Sequence, residues 1–127
     1  MGASGFLAVG VGAALGAWLR WGLGVFLNPV FPAMPLGTLV ANLVGGYLMG
    51  LTMGFFAFGS TMTPEMRLFI TAGFLGGLTT FSAFSGEAVY MLSRGEYGWA
   101  SVHVLIHVIG SLVMTGLGIL SVQLLRN

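Results

Sequence analysis

The chain contains no cysteine, no lysine and no aspartate, and its side-chain charge rests on four arginines and three glutamates in 127 residues. Without cysteine there are no disulfides and no thiolate chemistry, and the redox compartment stays undetermined. A net charge of +1 provides no basic field to recruit nucleic acid. Charged residues make up 6% of the chain and hydrophobic residues 57%, with a mean hydropathy of +1.00, whereas soluble domains carry about 25% charged residues. So few charges cannot cover a soluble surface of this size, and the composition is that of an integral membrane protein. Met1-Gly2-Ala3-Ser4-Gly5 lacks the basic opening of a secretory signal, so the first apolar run is expected to stay in the mature chain.

What is present is apolar sequence in long runs. A membrane-spanning helix needs roughly 20 such residues, and four runs qualify, at about 5–27, 36–58, 64–93 and 97–125. Asn28-Pro29 ends the first, and Pro32 and Pro35 hold the following loop extended. Gly59-Ser60-Thr61-Met62 is a short turn. Thr63-Pro64-Glu65 then supplies an N-cap, a proline at the first helical position and an early acid. Arg94-Gly95-Glu96 is the last turn. The runs are too long and too uniformly apolar for barrel strands, which alternate over about 10 residues. The expected fold is all-α, a single four-helix membrane domain over residues 1–127, with sequential helices as antiparallel neighbours.

Small residues recur at helical spacing: Gly12 and Gly16; Gly46, Gly50 and Gly54; Gly73 and Gly77. Such faces let backbones approach closely in lipid, with a partner in the same chain or in another. The arginines give no orientation. Four spans put both termini and the second turn on one side with Arg67 and Arg126, against Arg94 and Arg20 on the other. With no bias for the positive-inside rule to act on, dual topology is expected, and with it an antiparallel homodimer whose two-fold axis lies in the membrane plane.

The third run carries Gly76-Gly77-Leu78-Thr79-Thr80-Phe81-Ser82-Ala83-Phe84-Ser85. Adjacent glycines loosen a helix, and hydroxyls gather where lipid is expected. Irregular backbone at membrane depth is tolerated where it is buried in protein or lines a watery cavity. A helix broken near Gly76-Gly77 in mid-membrane, forming part of a pathway or an ion site, is the expectation. The fourth run aligns His103, His107, Ser111 and Thr115 at four-residue intervals, a single stripe. Each Ser or Thr can instead bond back to its own i−4 carbonyl. No acid or cysteine accompanies the two imidazoles on that helix, which argues against a metal site. Thr38 and Asn42 share a face with Gly46 and Gly50, and an amide at this depth needs a partner, either another helix or an anion. Ring edges are electropositive, so Phe81 and Phe84 set edge-on would form weak anion sites, as conduction requires. Glu87 follows Phe84 by one turn. Arg20 reads equally as an anion attractor at a pore mouth and as an interfacial anchor beside Trp18 and Trp21.

Taken together, Gly76 to Ser85 with Glu87, Gly37-Thr38-Leu39 leading to Asn42 and Gly45-Gly46, Gly16-Ala17-Trp18-Leu19-Arg20-Trp21, and His107-Val108-Ile109-Gly110-Ser111 resemble the Fluc (CrcB-type) fluoride channels, in order and over nearly the full length. The resemblance implies a passive fluoride-selective channel, not an enzyme. It would sit in the inner (plasma) membrane of a bacterium or similar microbe and lower cytoplasmic fluoride. It implies a dual-topology antiparallel dimer with two pores in the lipid bilayer. The pore would take Phe81, Phe84, Asn42, Ser111, Thr115 and His107, with Ser82 and Ser85 beside the rings and Arg20 and Glu87 as pore-mouth or structural charges. Backbone carbonyls of Gly76 and Thr79 from both subunits would hold a structural sodium ion, a hard cation suited to oxygen ligands. Two departures stand out: Ala83 occupies a position that the family fills with threonine, and imidazoles open the helix 4 track where hydroxyls are usual. A small proton-coupled multidrug exporter shares the size and the four spans, but its coupling needs a carboxylate deep in a helix, typically the first, and the first run here holds Arg20 and no acid.

Overall fold

The computed structural model describes residues 2–59 and 61–127. Its elements are α1 (Gly2–Leu27), a 3-10 turn (Asn28–Val30), α2 (Leu36–Ala57), α3 (Pro64–Leu68), a π-helical stretch (Phe69–Leu75), α4 (Gly76–Leu78), α5 (Phe81–Ser93) and α6 (Tyr97–Arg126). They form four spans long and apolar enough to cross a membrane: Gly2–Val30, Leu36–Ala57, Pro64–Ser93 and Tyr97–Arg126. The start signals act as their chemistry requires. The Thr63 side chain accepts from the Met66 amide at 3.2 Å, with Pro64 in the first turn. Asn28 Oδ1 accepts the Gly37 amide at 2.7 Å, so the residue that ends the first span also satisfies the opening of the second.

The first span packs along the third, and the second along the fourth. Both seams are built from glycine. A Cβ at Gly12 would stand 2.5 Å from the Phe69 carbonyl oxygen, and one at Gly73 would stand 2.9 Å from that of Val9. Gly16 lies against the Phe74 carbonyl and Gly77 against that of Ala13. In the other seam Gly50 lies against the Thr115 carbonyl and Gly118 against that of Tyr47, while a Cβ at Gly54 would meet Val122 at 2.8 Å. The small-residue faces therefore join helices of one chain, by main-chain contact that no side chain would permit.

Little conventional core remains. Met34, Leu39, Met91 and Ala100 cluster at one end of the bundle, and Ala41, Leu75 and Leu78 form a second group. The rest of the apolar surface faces outward; Phe6, Trp21, Phe26, Leu112 and Leu125 are all exposed. The bundle ends are also defined. Arg67 lies over the Phe56 ring and Arg126 over the Phe58 ring, 4.3 and 4.6 Å from the centroids, and the Ser4 hydroxyl reaches Glu65 at 3.4 Å. At the other end Arg94 pairs with Glu96 at 2.9 Å and donates to the Tyr90 hydroxyl.

Candidate functional site: a cleft at an extended pair of threonines

The third span contains two residues with extended backbone, Thr79 (φ −89°, ψ 155°) and Thr80 (φ −152°, ψ 119°). Gly76 and Gly77, where the sequence suggests the loosening, are helical. Close packing accounts for Gly77, because its main chain rests on Ala13. The extended pair and the turn before it are contacted by α1 and α2. Asn42 on α2 grips Thr80 with both ends of its amide: Nδ2 donates to the Thr80 carbonyl at 3.1 Å, and Oδ1 accepts the Thr80 amide at 2.8 Å. Arg20 Nε donates to the Gly77 carbonyl at 3.0 Å, a cation at the electronegative end of a helix. Gly45 leaves room for the Thr79 methyl group. Below the pair, the amide and hydroxyl of Thr79 both donate to the Leu75 carbonyl, at 3.0 and 2.8 Å. Above it, the Thr80 hydroxyl accepts from the Ala83 amide at 3.0 Å and restarts the helix as an N-cap.

These diversions have a consequence for the carbonyls. In a continuous helix Thr80 N–H would close on Gly76 and Ala83 N–H on Thr79. Those donors go instead to Asn42 Oδ1 and Thr80 Oγ1, so the Gly76 and Thr79 carbonyls lose their helical partners. Both residues line a cleft of about 440 Å³. Two carbonyls deprived of amide donors, beside a cavity and with no acid or thiolate, are chemically suited to a hard monovalent cation.

The same cleft is lined by Asn42, Phe81, Phe84, His107, Ser111 and Thr115, brought together from three spans. The Thr115 hydroxyl shares its proton between the Gly46 and Ser111 carbonyls, 3.0 Å from each. Its back-bond is thus made, and lone pairs rather than a donor face the cleft. Ser111 makes no such bond among the described residues. Both protons of the Asn42 amide are engaged as well, the second with His107 Nδ1 at 3.1 Å. Phe84 is buried, stacks on His103 (centroids 5.2 Å apart, 26° between planes) and lies tilted against His107 (4.7 Å, 35°), and Phe81, 77% exposed, lies 5.5 Å from it.

Ser82 and Ser85, expected beside the rings, do not line this cleft. At 100° per residue they fall on the far side of Phe81 from Phe84, where the Ser85 hydroxyl donates to the Ser82 carbonyl at 3.1 Å. Arg20 and Glu87 have separate partners. The Thr38 hydroxyl donates to Glu87 Oε2 at 2.6 Å, and Oε1 lies 3.4 Å from His103 Nε2. The His103 ring, fully buried, places Nε2 3.3 Å from the Phe84 carbonyl. Sequence spacing missed this Glu87–His103 neighbourhood, because the acid arrives from a different span.

Residues 7–119 match the model of the family described as CrcB-like protein, Camphor Resistance (CrcB). A relative from Cupriavidus taiwanensis named "Fluoride-specific ion channel FluC" is 58% identical over 125 residues, 98% of this chain and 99% of its own length. One of the same name from Nitrosospira multiformis is 58% identical over 127 residues, all of this chain and 99% of its own length. A third, from Ralstonia pickettii, is 56% identical over 123 residues, covering 97% and 98%. Matches of this extent cover all four spans and the cleft between them, and the chain belongs to the CrcB-like family.

Proposed function

We propose that the chain is a fluoride-specific ion channel, multi-pass in a bacterial inner membrane. The observation that carries the reading is the near-full-length identity of 58% to relatives bearing that name. The cleft supports it chemically. Fluoride is a small anion with a firmly held hydration shell, and a selective path must replace that water with donors in a narrow space. The Ser111 hydroxyl is available for this. The edges of Phe81 and Phe84 add weak electropositive contacts, and α5 begins at the cleft with the positive end of its dipole. No arginine is among the residues lining the cleft; Arg20 donates through Nε to the Gly77 carbonyl.

On the same reading the third span is broken in mid-membrane. Two copies of the chain, inserted in opposite orientations, pair as an antiparallel dimer with two pores. The exposed Phe81 ring and the open cleft are the surfaces this pairing would close. A sodium ion would be held by the Gly76 and Thr79 carbonyls of both subunits, neutralising four oxygens that have lost their helical donors.

Liposomes loaded with potassium fluoride and followed with a fluoride electrode test the function, with chloride efflux as the control. Fluoride efflux with at least tenfold slower chloride efflux is expected. No fluoride flux, or equal flux of both ions, overturns it. Reporter fusions at the C-terminus should respond on both sides of the membrane; a response on one side alone would remove dual topology.

A further inference from the structure

Behind the Phe84 ring, Glu87, His103 and His107 each bring one ligand atom to within 4.8 Å of the others. Three polar atoms of this group, Glu87 Oε1, His103 Nδ1 and His107 Nε2, are buried without a hydrogen-bond partner. Both histidines are almost wholly buried, at 0% and 3% exposure. Burying polar atoms without partners is destabilising, and a metal ion would take up Glu87 Oε1 and one ring nitrogen of each histidine. The geometry points to a divalent transition-metal site at Glu87, His103 and His107, of the two-imidazole, one-carboxylate type that takes Zn²⁺.

The chemistry fits in kind and in scale. Imidazole and carboxylate suit borderline ions such as Zn²⁺. With metal–ligand bonds of about 2.0–2.1 Å, neighbouring ligands of a tetrahedral zinc stand about 3.3–3.4 Å apart. Glu87 Oε1 and His103 Nε2 already stand 3.4 Å apart. The widest separation, 4.8 Å at most, has to close by about 1.4 Å to reach that spacing, which is within side-chain reach. The bonds given up are modest. Binding through His103 Nε2 releases a 3.3 Å contact with the Phe84 carbonyl, and binding through either nitrogen of His107 releases the Asn42 amide. The group lies between two cavities: His107 lines the cleft of about 440 Å³, and Glu87 lines a second cavity of about 430 Å³ toward the Arg94 turn. Three protein ligands leave a fourth position for water or an anion.

The test reads bound metal and is therefore independent of fluoride transport. Detergent-purified protein is stripped with chelator and titrated with Zn²⁺ by calorimetry, and with Co²⁺ by visible absorption. One ion per chain is expected, with the intense visible bands of tetrahedral cobalt. His103→Gln and Glu87→Gln should each weaken binding at least tenfold and abolish those bands, whereas Glu65→Gln and Glu96→Gln, at the bundle ends, should leave them unchanged. Thermal melts of the apo proteins identify any variant that fails to fold, and Glu87→Gln, which keeps an acceptor for Thr38, then decides the matter. Less than a tenth of an ion per wild-type chain overturns the proposal, as does binding by folded Glu87→Gln that is as tight as wild type.

Discussion

Asn42→Ala is the substitution from which the cleft should suffer most per atom removed. The side chain makes three contacts between spans: two with the Thr80 main chain, at 3.1 and 2.8 Å, and one with His107 at 3.1 Å. Hydrogen bonds between membrane helices average about 0.6 kcal/mol each and reach about 1.7 at most. Three of them amount to about 2 kcal/mol, with a ceiling near 5. Part of the loss returns if the Thr80 amide recloses on Gly76, but only by making the third span continuous. Stability and architecture should therefore change together. Asn42→Asp should be no milder. It keeps the acceptor for Thr80 N–H, loses both donations and adds a charge that costs about 2.5–3.5 kcal/mol at the centre of a membrane helix. Unfolding by SDS in mixed micelles, followed by tryptophan fluorescence, measures the loss, and fluoride efflux measures the consequence for the path. An Asn42→Ala protein within about 0.5 kcal/mol of wild type, below the average value of a single such bond, and with unchanged efflux would refute the clasp.

Three further outcomes follow from the packing. Gly50→Val sets a side chain against the Thr115 carbonyl and should cost about 1–3 kcal/mol or more by overpacking, whereas Gly116→Ala, where a Cβ meets nothing within 4 Å, should be neutral in the same SDS titration; equal effects would contradict the seam. Phe81→Ile and Phe84→Ile should both slow fluoride efflux, yet only Phe84→Ile, which strips a buried ring from two imidazoles, should lower the melting temperature of the monomer in detergent; normal efflux from both would take the rings out of the path. Exhaustive replacement of sodium by an organic cation should slow efflux or loosen the proposed dimer on a sizing column, and indifference in both would count against the proposed cation binding by the Gly76 and Thr79 carbonyls.

The sequence speaks clearly about whatever repeats along a helix and poorly about whatever meets across helices. Run length alone placed the second span within a residue of its observed end, because apolar length is a property of one segment. The same holds for Thr63, which caps the helix it precedes. The π-helical stretch Phe69–Leu75 carries no comparable signal. Its wide turns accompany packing on α1 and a Thr71 hydroxyl bonded back to Arg67, one of which is tertiary and the other common in ordinary helices. Gly77 is ambiguous for a related reason: glycine both loosens a helix and lets another backbone touch it, and the contact with Ala13 is visible only in the fold. Ser82 and Ser85 sit next to the cleft in sequence but not around the helix. Glu87 and His103 are 16 positions apart on different spans, and no spacing rule joins them.

The glycine seams alter what a substitution means in this molecule. In a soluble domain hydropathy separates inside from outside, and an apolar-to-apolar exchange is mild nearly everywhere. Here outside and inside are both apolar, and that distinction vanishes. Leu112 or Leu125, facing outward, can become isoleucine or phenylalanine with a similar transfer energy into lipid. Gly16, Gly50 and Gly118 cannot become even alanine without parting two main chains. Side-chain volume, not polarity, is what the seams discriminate, so a single methyl group there should matter more than an entire ring on the lipid face.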